Sequence, residues 1–287
     1  MVSTNYLTPE AIRSFISQAL NEDVGRGDAS TLGSIPVKLK SKAVLKIKED
    51  GILAGMEMAK IIFNHIDDSL LFDPYLQDGD QIKQGDKAFE VSGNARSILT
   101  AERLVLNCMQ RMSGIATKTH QLSNLIKGQK AKLLDTRKTT PNFRLLEKWA
   151  VKIGGGVNHR FGLYDMVMLK DNHIDFSGSI TKAVTDTRKY LNKENLDLQI
   201  EVETRNLNEV EEAMELGVDA IMLDNMIPSD MKEAVKMVNS RCVIEASGGI
   251  TENTIQEIAN CGVDFISVGA LTHSFKSLDM SLKAIKV

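Results

Sequence analysis

Gly217-Val-Asp-Ala-Ile-Met-Leu-Asp224 decides the fold: a glycine, a polar step, then a short apolar run that closes on a carboxylate. Gly262-Val-Asp-Phe-Ile-Ser-Val-Gly269 repeats the pattern further along the chain. Apolar runs this short, entered from a glycine stop, read as strands covered on both faces. Working outward, the same kind of run recurs at Lys132–Asp135, Met166–Leu169, Leu198–Val202 and Val243–Ala246. Helical patterns lie between the later runs. Met231, Ala234, Val235 and Val238 share one face, Ser229 or Thr251 stands at a start, and Gly217 or Gly262 at a stop. Strand, helix and strand in short succession mean parallel strands with crossover helices. Six or seven such units fit a (β/α) barrel short of the usual eight; an open doubly wound sheet is the alternative.

The chain before residue 130 has a different texture. Thr8-Pro9-Glu10 is a helix start, with a cap, a proline at the first position and an acid in the first turn, and Ile12, Phe15, Ile16, Ala19 and Leu20 form its apolar face. From about residue 35 to 95, short strands such as Ala43–Ile47 and Ala88–Val91 alternate with turn signals at Asp50-Gly51, Asp78-Gly79-Asp80 and Gln84-Gly85-Asp86. A long amphipathic helix follows from Ser97 to about Leu125, with a kink expected near Ser113-Gly114. The expected organisation is an α/β chain with a smaller N-terminal α+β sandwich domain over residues 1–115 and a (β/α) barrel over residues 116–274. A tail from 275 to 287 is expected to return to the first domain.

Composition narrows the function classes. The chain has 287 residues, 43% hydrophobic and 25% charged, and a formal net charge of −3. Neither a basic tail nor an aromatic-interleaved basic strip points to nucleic acid. The start, MVSTNYLTPE, lacks the pattern of a secretory signal, and no apolar run is long enough to span a bilayer. Three cysteines without metal-ligand spacing, Cys108, Cys242 and Cys261, suit small core positions in a reducing cytoplasm.

Against this acidic background, Arg137, Lys138, His159, Arg160 and Lys170 gather between Leu134 and His173, where apolar runs stop and glycines begin. One basic residue after a strand is ordinarily a solvated loop charge. Five of them beside glycines suit a multiply anionic small molecule. Glu203 follows one apolar run and Asp224 another; at matching strand ends they suit a metal or sugar hydroxyls. Ser247-Gly-Gly249 and Gly269-Ala270 follow the late runs, where phosphate sites of this fold tend to lie, and Thr251 is expected to cap the next helix. All these groups would converge at the barrel mouth. Gly154-Gly-Gly156 has neither a P-loop Lys-Ser/Thr nor dinucleotide spacing, Arg26-Gly27-Asp28 reads as part of a turn, and nothing is assigned to His65 or His120. Asp78 to Asp86 has the turn rhythm of a carrier hairpin but presents no lysine at a tight tip.

Thr136-Arg-Lys-Thr-Thr-Pro141, Glu147-Lys-Trp-Ala-Val151, Gly154-Gly-Gly-Val-Asn-His-Arg160, Gly162-Leu-Tyr-Asp165 and Leu169-Lys-Asp-Asn-His-Ile174 closely resemble the quinolinate phosphoribosyltransferase family. The likeness extends from Asp23–Asp28 through Glu102-Arg103, Ser113–Thr117, Glu201–Glu203, Leu223–Asn225 and Glu245–Gly249 to Ser267–Ser274. The sequence departs from the family pattern at Asn142, where glycine is common, and at Ala29-Ser30, where threonine is common. The resemblance implies transfer of phosphoribose from 5-phosphoribosyl 1-diphosphate to quinolinate with decarboxylation, giving nicotinate mononucleotide, diphosphate and CO₂ in NAD biosynthesis, with Mg²⁺. It implies that Arg137, His159 and Arg160 bind the quinolinate dianion, and that Arg103 serves a neighbouring subunit's site in a homodimer or dimer-based oligomer. Lys138 and Lys170 would meet phosphates, Glu203 and Asp224 would hold ribose hydroxyls or Mg²⁺, and Ser247, Gly248, Gly249, Gly269 and Ala270 would cradle the 5-phosphate. The alternatives are a transferase with a changed acceptor such as nicotinate, a non-catalytic phosphate-binding barrel, and Lys170 as an imine-forming nucleophile.

Overall fold

In a computed structural model, residues 6–285 are described, so the start of the chain falls partly outside them. The chain divides into two compact units. One holds Gln121–Lys138 and Gly156–Ala270, and the other holds the remaining described residues. The boundaries follow contacts rather than chain order, since residues 139–155 join the unit formed by the N-terminal segments.

That N-terminal unit opens with helix α1 (Pro9–Asp23), capped by the Thr8 side chain, which accepts from the Ala11 N–H at 3.1 Å. Asp28 caps α2 (Ala29–Ser34), so Arg26-Gly27-Asp28 is a turn into a helix. Strands β1 (Lys40–Ile47), β3 (Leu71–Pro74) and β5 (Lys87–Asn94) lie in one antiparallel sheet; β2 (Gly51–Ile52) and β4 (Gln81–Ile82) form a small second pair. The last strand, β12 (Met280–Ile285), adds to the free edge of β1 in antiparallel register, Leu45 opposite Leu282. The turn-rich segment also contains a helix that its strand texture concealed, α3 (Met56–Ile66). Phe63 of that helix packs edge-on against Phe89 of the sheet, ring centres 5.8 Å apart, and this aromatic contact anchors the core.

Helix α4 (Ala95–Leu125) runs uninterrupted through Ser113-Gly114, where a kink was expected. Tertiary contacts explain both residues. The Ser113 hydroxyl accepts from the Ala54 N–H and donates to the Ala54 carbonyl, tying α4 to the segment after β2. A Cβ at position 114 would lie 2.2 Å from the Lys276 carbonyl oxygen, so glycine admits the returning chain. Helix α5 (Arg144–Ile153) belongs to the same unit.

In the other unit, six parallel strands alternate with helices: β6 (Lys132–Leu134), β7 (Val167–Leu169), α6 (Asp171–Ser177), α7 (Ile180–Glu194), β8 (Ile200–Thr204), α8 (Leu207–Glu215), β9 (Ala220–Asp224), α9 (Pro228–Val238), β10 (Val243–Ser247), α10 (Ile255–Ala259) and β11 (Phe265–Ser267). Helix α11 (Ala270–His273) follows. The order across the sheet is β6-β11-β10-β9-β8-β7. The first strand pairs with the last, as in a barrel; a doubly wound sheet would reverse direction about an interior strand. Among the described residues one seam stays open, between β6 and β7. There Val157 makes a single parallel bridge to Leu134, its N–H donating to the Leu133 carbonyl and its carbonyl accepting from the Asp135 N–H. Every residue of β8 is buried, and Met231, Ala234 and Val238 form the buried face of α9. That helix begins at Pro228, one residue before the expected Ser229.

Candidate active site

All six strands run the same way, so the groups at their C-terminal ends share one mouth. Arg137 and Lys138 follow β6; Lys170 follows β7; Glu203 lies in β8; Asp224 ends β9; Ser247 ends β10; Gly269 follows β11 and Ala270 opens α11. Glu203 lies within its strand rather than after it, because β8 starts and stops two residues later than the apolar run suggests. Its Oε2 accepts from the Lys170 ammonium at 3.3 Å and its Oε1 from the Asp171 N–H at 3.4 Å. Glu203 is buried and the Lys170 side chain half-exposed, which leaves the lysine's outer side toward solvent.

Asp224 and Ser247 stand opposite each other in register, and Asn225 knits their strand ends together. Its backbone N–H donates to the Ser247 carbonyl at 2.9 Å, and its side-chain amide donates to Asp224 Oδ2 at 2.7 Å. Asn225 itself sits in the left-handed region at φ 52°. Gly248, at φ +97°, must be glycine twice over: the dihedral excludes most side chains, and a Cβ would meet Asn225 Oδ1 at 2.2 Å. The expected helix start at Thr251 is displaced. Thr251 opens a turn, its N–H bonded to the Thr254 hydroxyl and its carbonyl accepting from Thr254 and Ile255, and α10 begins only at Ile255. Any phosphate cradle after β10 therefore consists of loop amides rather than a helix terminus.

The basic residues after the seam are more buried than loop charges should be. Arg160 is 7% exposed, with one guanidinium nitrogen donating to the Met166 carbonyl at 3.1 Å. Burial pulls its guanidinium down from the ordinary arginine range, and the neighbouring positive charge of Arg137 pulls it further. Two cations brought this close, one of them buried, are what a dianion would relieve. Lys138 is exposed, and its backbone N–H is bonded to the Thr136 hydroxyl.

His159 points inward. Its Nε2 lies 2.9 Å from Glu201 Oε2 and 3.2 Å from Glu245 Oε2, and its Nδ1 accepts the Arg160 N–H at 2.6 Å. Its own backbone N–H donates to Asp135 Oδ1 at 2.9 Å, and Ser267 donates to Glu245. Asp135, Glu201 and Glu245 are 0%, 1% and 2% exposed. Asp135 directly follows β6, while Glu201 and Glu245 lie in β8 and β10, so all three come from alternate strand positions of the barrel. Burial pulls the His159 imidazole down, but hydrogen bonds to Glu201 and Glu245, and their charges, push it up to about 10. Burial and the charge of Glu245 push Glu201 up to about 7. His159 and Glu201 titrate together, and both are shifted toward their protonated forms. The same His159, Glu201 and Glu245 offer donor atoms close enough together for a metal, but their hydrogen bonds to one another account for the arrangement.

Arg103 is exposed on α4, within the N-terminal unit. The residues that sequence inspection left without a role are Asp135, Glu201, Glu245, Ser267 and Asn225. A signal existed for one of them: Glu201 and Glu203, two apart in a strand, share a face, so an inward Glu203 brings Glu201 inward too.

Comparison with known proteins gives one consistent answer. Residues 28–113 match the family described as quinolinate phosphoribosyl transferase, N-terminal domain, and residues 115–283 match its C-terminal domain. The chain is 47% identical over 288 aligned positions to the chloroplastic nicotinate-nucleotide pyrophosphorylase [carboxylating] of Arabidopsis thaliana, covering 95% of this chain and 82% of that protein. Its fold is similar to the crystal structure of NadC from Streptococcus pyogenes, with a TM-score of 0.91 and 42% identity over 99% of this chain and 100% of that one. It is also similar to the nicotinate-nucleotide pyrophosphorylase of Francisella tularensis, with a TM-score of 0.89 and 40% identity over 98% of each chain.

Proposed function

The chain belongs to the quinolinate phosphoribosyltransferase family and has its decarboxylating activity in NAD biosynthesis, and from that premise we propose how its own residues divide the reaction. The observation that carries the division is the pair Arg137 and Arg160, neighbouring like charges of which Arg160 is buried. Quinolinate brings two adjacent carboxylates, and a guanidinium is the side chain best shaped to read one. Arg137 and Arg160 take that dianion, and His159 lies behind them. Lys138 and Lys170 meet the diphosphate. Amides of Ser247, Gly248, Gly249, Gly269 and Ala270, at the ends of β10 and β11, take the 5-phosphate.

The acceptor's ring nitrogen forms a bond to C1 of the donor as the C1–oxygen bond breaks and diphosphate leaves with the electron pair. C1 is cationic in passing, and the carboxylates of Glu203 and Asp224 favour that charge while holding the ribose hydroxyls. The quaternised ring then accepts the electron pair of the bond to the adjacent carboxylate, CO₂ departs, and the ring carbon takes a proton. Glu203, one residue before the end of β8, and Asp224, the last residue of the adjacent β9, offer hard oxygen donors, which suits Mg²⁺, an ion that keeps several waters and shares substrate phosphates. Bound there, Mg²⁺ would neutralise charge on the leaving diphosphate. The Lys170 ammonium is paired with Glu203, which suits phosphate neutralisation and disfavours an imine-forming nucleophile.

Arg103, exposed on α4, completes the acceptor site of a partner subunit in a dimer. The test is an assay with Mg²⁺, donor and either quinolinate or nicotinate. Nucleotide from quinolinate with equimolar CO₂ is expected. Turnover of nicotinate alone would overturn the assignment of Arg137 and Arg160 to a dianion. No turnover of either would leave a changed acceptor or a binding protein.

A further inference from the structure

Among the described residues, the seam between β6 and β7 is where the barrel lacks a ladder, yet the segment on it, residues 157–160, carries Arg160. A single backbone bridge at Val157 is weak support for a guanidinium that must meet a carboxylate in fixed geometry. Side chains supply what the ladder does not. From β11, Ser267 donates to Glu245 in β10; Glu245 faces His159 Nε2 at 3.2 Å; His159 Nδ1 accepts the Arg160 N–H at 2.6 Å. Glu201 joins from β8 at 2.9 Å. Glu245 is 2% exposed, too deep for substrate to touch, and a buried carboxylate is retained at a cost unless its hydrogen bonds serve a purpose.

We propose that Glu245, held by Ser267, is a positioning residue for the acceptor site, acting through His159 to hold the seam segment that carries Arg160. This rests on the reading that Arg160 binds the acceptor. Glu245 chemistry is confined to anchoring: the donor end also uses the ends of β10 and β11, but the Glu245 and Ser267 side chains are bonded to each other and Glu245 faces His159.

The test compares Glu245→Gln, Ser267→Ala and Arg160→Ala with the parent enzyme in KM for quinolinate, KM for donor and kcat, together with ¹⁵N resonances of the five histidines. Glutamine keeps the shape of Glu245 but withdraws the anion facing Nε2. The expected result is a KM for quinolinate raised about tenfold, a donor KM within about twofold, and a displaced His159 ring signal, with Ser267→Ala changing both in the same direction by less. A stable Glu245→Gln enzyme with an unchanged KM for quinolinate, or with both KM values raised alike, overturns the proposal. Should that variant fail to fold, Ser267→Ala is judged by the same criteria. If Arg160→Ala itself leaves the KM for quinolinate unchanged, the acceptor reading falls first and takes this one with it; if only Glu245→Gln is silent, the acceptor reading stands.

Discussion

At the scale of single residues, the site concentrates charge that a folded chain ordinarily avoids. Arg160 is buried beside another arginine, and three buried carboxylates, Asp135, Glu201 and Glu245, surround the neighbouring His159. Removing a buried, hydrogen-bonded charge from a binding site typically costs several kcal/mol. Arg160→Ala should therefore raise the KM for quinolinate on the order of a hundredfold while the donor KM moves little, measured by initial rates with each substrate varied. A second expectation concerns pH. The His159 unit binds its proton more tightly folded, at about 10, than an unfolded histidine does, at about 6.5. Its contribution to stability is thus complete below about pH 6.5 and is lost as pH rises through about 10. Urea melts at pH 6 and pH 9 should show a smaller difference for Glu245→Gln than for the parent, and an unchanged difference would refute the coupling. The charges at strand ends are legible in the sequence because each interrupts an apolar run. Glu245 is not, and Glu201 is only through Glu203, because a carboxylate inside a strand reads as its solvent face until the strand is known to close on itself.

At the scale of elements, several ends are stabilised from a distance. Helix α3 starts at Gly55, which has φ 99° and no side chain to cap it. Asp78 does this from 22 residues away, accepting from the Met56 N–H at 2.8 Å and the Glu57 N–H at 3.4 Å. Asp78→Ala should destabilise the protein by about 1–2 kcal/mol, read from denaturant midpoints, with catalytic constants unchanged. Asp78→Asn, which keeps an acceptor, should cost less. The local cap at Thr8 is visible in the sequence; this one is not, because the two partners share no sequence motif. Asn142 is intermediate. It stands where the resemblance leads one to expect a glycine, and it adopts φ 62°, which asparagine tolerates better than other side chains. The departure from pattern thus preserves the backbone that the pattern requires.

At the scale of the whole molecule, an acceptor site completed by Arg103 of a partner subunit makes a specific expectation. Arg103→Ala and Lys170→Ala, each nearly inactive alone, should regain about one quarter of parental activity when co-refolded, since half of randomly mixed dimers would carry one intact site. Mixed dimers, separated by differential tags, that remain inactive would show that each site is built from one chain.

By itself, the sequence determined the alternation of strand and helix, the two differently textured halves, the basic cluster with its glycines and the family resemblance. These are local or nearly local properties, set by periodicity, caps and the chemistry of adjacent residues. Only tertiary structure decided that β6 pairs with β11 and leaves a seam, that His159 turns inward to two carboxylates, that Gly114 makes room for the Lys276 carbonyl, and that the loop after β10 is shaped by Asn225 against Gly248. Each depends on groups far apart in the chain meeting in space, and burial and charge take their values only once those neighbours are in place.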